Sequence, residues 1–232
     1  MNECTASAER PNGALLAHRE VAEDFAAFIR SISFPCVGAK SSLAHGALEV
    51  LEAGDIESTR SDHDIHRALL SFGERLNPDE LASFACLFRP RPVMSELAFE
   101  RALWARLQAL HDIDAEHGVG WAPDVSRDPK ALDFSFSVGG VAYFVIGLHP
   151  GSSRTARRFG RPALVFNSHE QFERLRQDGR YEKMQATIRD RELAQAGSIN
   201  PMVADFGRGR EAAQYSGRNV EPGWTCPLKI KT

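Results

Sequence analysis

The stretch LDFSFSVGGVAYFVIGLHPGSSRTARRF, residues 132–159, limits the fold more than any other part of the chain. Two apolar runs meet at Gly139-Gly140, and a Gly-Gly pair between such runs is the signature of a β-hairpin. A hairpin this apolar needs further strands beside it and helices over it. Its second strand ends at His149-Pro150, which carries an imidazole to the rim of the sheet, and Pro150-Gly151 turns the chain there.

The rest of the chain supplies those partners. Leu15, Leu16, Val21, Phe25, Phe28 and Ile29 recur at helical spacing and predict a helix over 14–32. Pro35 and Gly38 make 34–46 read as a turn or loop. A strand over 48–53 and a helix over 56–75 follow, then a buried strand over 81–90 closed by Pro90. Ser95 is an N-cap for a helix over 94–116, on which Leu97, Trp104, Leu107 and His111 share one face. Residues 162–166 read as another strand, and 169–177 and 181–194 as helices. The segment 198–227, rich in Gly, Pro and Asn, reads as an ordered loop wrapping the body. The sum is a single α+β domain over 14–232, a mainly antiparallel sheet with packed helices and a long C-terminal loop region, behind a flexible N-terminus of 1–13.

Composition narrows the function classes. The chain has 232 residues, 43% of them hydrophobic, enough for one core. A net charge of -3 argues against a nucleic-acid partner, which would call for a clear excess of Lys and Arg. No apolar run reaches the roughly 18 residues of a membrane span, so no membrane partner is expected. Cys4, Cys36, Cys86 and Cys226 lie far apart without a C-x-x-C pair, giving neither a zinc signature nor a disulfide framework. With no secretory pattern at the N-terminus, a cytoplasmic protein with reduced thiols is expected.

Several residue groups are candidates for chemistry. Ser152 or Ser153 can cap a short helix in which Arg154, Arg157 and Arg158 fan over one side, close to His149. That suits a ligand with a metal or electrophilic centre at one end and carboxylates or phosphate at the other. The plain alternative is a hydrogen-bonded structural histidine beside solvated arginines. His111 lies a turn beyond Leu107 and below Trp104, facing a hydrophobic slot, or is a core histidine bonded to Asp112 or Asp114. Cys36 sits where Gly38 lets backbone approach a ligand closely, whereas Cys86 reads as a small core residue. Asn167, His169 and Glu170 follow a strand and can meet a guanidinium substrate, or else form a helix N-cap with a favourable acidic residue. DHDIH at 62–66 holds His63 and His66 three apart but reads as a solvated face.

Five segments taken together carry a resemblance: FPCVGAK at 34–40, LWARLQALHDID at 103–114, GLHPGSSRTARRF at 147–159, ALVFNSHEQFERLR at 163–176 and AQYSGRNVEPGWTCP at 213–227. In this order, over 34–227, the chain resembles the YqcI/YcgG family. The resemblance implies a haem-dependent oxygenase that hydroxylates a guanidino nitrogen of arginine or an arginine-like amino acid. A similar branch is the haem-dependent pre-guanitoxin N-hydroxylase. Under it, His149 ligates the iron of haem b, and Arg154, Arg157 or Arg158 grips the propionates. His111 beside Trp104, or Cys36 as a thiolate, is the rival axial ligand, and Asn167, His169 and Glu170 meet the substrate. O₂ is then a co-substrate. With no G-x-G-x-x-G fingerprint, electrons come from an external reductase or small reductant. The substrate is a small amino-acid-like molecule, and a homodimer is compatible with this reading. Two further readings stay open: a non-catalytic haem-binding or sensing protein, and a haem-free phosphate or small-molecule binder.

Overall fold

The computed structural model describes residues 11–32, 34–196 and 210–231. Most of the segment expected to be flexible and the stretch 197–209 of the expected C-terminal loop lie outside the described residues. Five strands form one sheet in the order β1-β2-β5-β4-β3: β1 Leu48–Glu52, β2 Ser83–Leu87, β3 Phe136–Val138, β4 Val141–Leu148 and β5 Ala163–Ser168. Only β1 and β2 run parallel. Their crossover carries helix α3, Asp62–Glu74, because a parallel connection must span the sheet and return. The expected α+β class with a mainly antiparallel sheet holds.

Period-two alternation sorts the strand residues into two cores. Phe84 and Cys86 of β2, Tyr143 and Val145 of β4, and Leu164 and Phe166 of β5 pack on α3 and α4, Glu96–Glu116. Ala85, Leu87, Ala163, Val165 and Leu148 pack on α1, Pro11–Arg30, and α2, Val37–Ala44. Gly147 permits the tight fit on the α4 side, since a Cβ there would come within 2.6 Å of Phe99 and 2.8 Å of Leu103. The hairpin turn is made by Gly139 and Gly140, both at positive φ, as the sequence predicts.

The C-terminal segment closes the edge of β4 beyond the end of β3. The Gly147 amide donates to the Tyr215 carbonyl at 2.7 Å, and the Phe136 amide donates to the Tyr215 hydroxyl at 3.0 Å. Helices α5, His169–Gln177, and α6, Tyr181–Ala196, follow β5 and reach the α1/α2 side.

Four expectations are corrected. Residues 37–44 form α2 instead of a loop: Pro35 lies before the N-cap, Cys36, and Gly38 is tolerated in the first turn. The helix expected from 56 begins at Asp62, preceded by a 3-10 turn at Thr59–Ser61. Leu97 is 51% exposed, although Trp104, Leu107 and His111 are buried. Within 62–66, Asp62 and His66 are buried, not solvated: Asp62 accepts from Arg106 at 2.8 Å, and His66 Nε2 lies 2.6 Å from Asp114.

Candidate functional site

A cavity of about 210 Å³ opens on the α1/α2 side of the sheet. Phe144, Ile146 and Leu148, alternate residues of β4, make its apolar floor. Ser83 and Asn167, paired across β2 and β5, add a polar strip, but the Ser83 hydroxyl donates to Asn167 Oδ1 at 2.8 Å and so occupies that acceptor. The Asn167 amide donates to the Phe144 carbonyl at 3.4 Å.

The walls bring chemistry to this floor. Cys36, the N-cap of α2, accepts from the Ala39 amide at 3.4 Å. His169 opens α5 at 7% exposure, with Nε2 3.6 Å from Glu173. Burial holds its pKa below the ordinary histidine value, against the opposing charge of Glu173. Arg176, one turn beyond Glu173, pairs with it and lies 4.4 Å over the Tyr181 ring. Arg154 also lines the cavity, and its guanidinium makes no hydrogen bond with the described residues. At the C-terminal side stand Gln214 and Glu211. Glu211 is 4% exposed, and burial lifts its carboxyl to about 8, against the opposing hydrogen bonds from Tyr215 and Ser135.

The arginines expected to fan together are separated by function. Only a 3-10 turn, Thr155–Arg157, forms there. Arg157 is buried and donates to the carbonyls of Gly147, Gln214 and Tyr215 at 3.0–3.2 Å, locking the C-terminal segment to β4. Arg158 donates to the carbonyls of Ser152 and Ser153. Arg154 lines the cavity with a guanidinium that makes no hydrogen bond with the described residues.

His149 stands away from the cavity. It is 1% exposed, stacks on Phe99 of α4, and has no hydrogen-bond partner on either ring nitrogen among the described residues. Burial depresses its pKa. His111 also lies on the α4 side: its Nε2 accepts from the Lys231 amide at 2.9 Å, and neither Asp112 nor Asp114 bonds it. Asp112 instead accepts from Gln108 and Lys231, and Asp114 from His66 and the Gly139 amide. Trp104 is core, stacked on Tyr215. Glu170 is exposed, in the first turn of α5, outside the cavity. Of the residues singled out from the sequence, Cys36, Arg154, Arg157, Asn167 and His169 come together. Arg176 and Gln214 joined them without a sequence signal. Glu211 sits in the tail just ahead of AQYSGRN, where no periodicity marks a buried carboxylate.

The family model described as YqcI/YcgG family matches residues 25–229, which contain every wall of this cavity. The chain belongs to the YqcI/YcgG family. No curated protein and no solved structure matches the chain. Among the described residues, no helix is long and apolar enough to cross a membrane.

Proposed function

We propose that this YqcI/YcgG protein is a haem-dependent oxygenase that hydroxylates a guanidino nitrogen of arginine or an arginine-like amino acid in the cavity on the α1/α2 side. The observation that carries the reading is the donor set of one apolar cavity: a buried neutral imidazole, a thiol at a helix N-terminus, and a guanidinium without a partner among the described residues. Imidazole and thiolate are the usual protein ligands of haem iron, and propionates call for cations, so the donor types on these walls match those the group needs. In this reading His169 would hold the haem iron, and Cys36 is the second donor on the same walls. His149 and His111, on the other face of the sheet, are not used.

When bound, haem supplies the activation of O₂, one atom of which enters a substrate N–H bond while the other leaves as water, with two electrons and two protons from a separate donor. The chain does the rest. Burial keeps His169 in the unprotonated form that ligates metal. Arg154 would supply the fixed charge that a propionate calls for. Phe144, Ile146 and Leu148 keep bulk water from the reacting nitrogen. Electrons are supplied in the cytoplasm by a separate reductase.

The full chain, loaded with haem and supplied with O₂ and a chemical reductant, is expected to convert L-arginine or a close analogue to an N-hydroxylated product, read by mass spectrometry. Haem-loaded protein that leaves every guanidino compound unchanged contradicts the reaction. Absence of a Soret band together with thermal stabilisation by phosphate compounds shows a haem-free anion binder instead.

A further inference from the structure

We propose that Glu211 determines specificity by reading the cationic end of the substrate, its uncommitted carboxylate oxygen accepting a hydrogen bond from a guanidinium inside the cavity. This rests on the guanidino-substrate reading above. Glu211 lines the cavity at 4% exposure. Its Oε1 accepts from the Ser135 hydroxyl at 2.8 Å and from the Tyr215 hydroxyl at 2.5 Å. Those two donors come from different elements and fix the carboxylate plane before any ligand arrives. Oε2 accepts no hydrogen bond from the described residues, although a carboxylate can take about four.

Glu211 forms no ion pair with the described residues. Arg176 of α5 is the cation that acts on it, and that guanidinium already serves Glu173 and the Tyr181 ring. Arg157, in the turn after β4, is spent on three carbonyls. Tyr215 is held protonated by burial. Burial lifts the Glu211 carboxyl to about 8, so it holds a proton in the empty cavity; an incoming guanidinium, which keeps its own charge, stabilises the ionised form and sends that proton to solvent. A ureido group of the same shape brings no charge. The site therefore separates arginine from citrulline by charge and not by size.

Calorimetric affinities of the haem-loaded full chain for L-arginine and L-citrulline test this, with haem content measured on the same samples. The wild-type protein is expected to prefer arginine by about ten- to a hundredfold, the range of one hydrogen bond to a charged group. Glu211→Gln is expected to erase the preference with little change for citrulline, and Glu211→Asp, which keeps the charge, to retain part of it. A folded Glu211→Gln protein that still prefers arginine overturns the proposal, as does a wild-type protein with no preference. If Glu211→Gln does not fold, the wild-type preference and Glu211→Asp decide. A Glu211-dependent preference in protein that takes up no haem removes the oxygenase reading and leaves this one standing.

Discussion

Leu148 and His149 are neighbours in the chain and face opposite sides of the sheet. Leu148 lies on the floor of the cavity, while His149 stacks on Phe99 with ring centroids 4.2 Å apart and planes 19° from parallel. The separation follows from the period of two in an extended chain. It takes the histidine at the end of β4 away from the cavity and leaves it as a buried ring whose two nitrogens have no partner among the described residues.

His149→Phe keeps the stack on Phe99 and removes both unsatisfied nitrogens. An unpaired buried polar group costs about 1–3 kcal/mol, so the variant is expected to be as stable as wild type or up to about 2 kcal/mol more stable in urea. A loss of more than about 2 kcal/mol would assign His149 a partner essential to the fold.

Arg154 and Arg157, three residues apart, are expected to separate binding from stability. Arg157→Met removes donors from the carbonyls of Gly147, Gln214 and Tyr215 and should destabilise by about 3 kcal/mol, as charged donors leave buried carbonyls unpaired. Gly217 packs against the same side chain, with a Cβ there only 3.0 Å from Arg157. Arg154→Gln should change stability by less than about 0.5 kcal/mol while weakening carboxylate ligands. Equal effects of the two substitutions in chemical denaturation would contradict the division.

Stability should depend on pH through two opposing contributions. His111, His149 and His169 are all held below the ordinary histidine value of 6.5 by burial, so the unfolded chain binds more protons in the window just below 6.5. Their contribution rises with pH through that window and is lost on acidification. Glu211, raised from 4.5 to about 8, binds a proton in the folded state that the unfolded chain releases. Its contribution therefore falls as pH climbs from 4.5 to 8. In thermal melts across pH 5–8, Glu211→Gln is expected to flatten the loss on the alkaline side, and His149→Phe to flatten the loss on the acidic side. Parallel pH profiles for wild type and both variants would refute the assignment.

The hairpin, the capped α4 and the strand–helix order after β5 were legible because each rests on local pattern: Gly139-Gly140, Ser95, and the apolar runs. Helix α2 was hidden, since Pro35 and Gly38 punctuate the sequence whether a helix follows or not. Asp62 and His66 looked solvated because their partners, Arg106 and Asp114, lie 44 and 48 residues away. The site was half legible for the same reason. Cys36, Arg154 and His169 stand out as residue types near turns. Which face each reaches depends on strand register and on where the tail crosses the sheet edge, and Glu211 gains its place only through Ser135 and Tyr215.

The proposal that His169 holds haem iron on the α1/α2 face is tested by absorption spectra of full-length wild type, His169→Ala, Cys36→Ser and His149→Phe, reduced and with carbon monoxide. The account predicts a stoichiometric Soret band of histidine type that shifts with carbon monoxide, is lost in His169→Ala and persists in His149→Phe. A thiolate-type band lost in Cys36→Ser would move the ligand across the same cavity. A band abolished by His149→Phe but unaffected by His169→Ala, or no band after added hemin, would contradict the account.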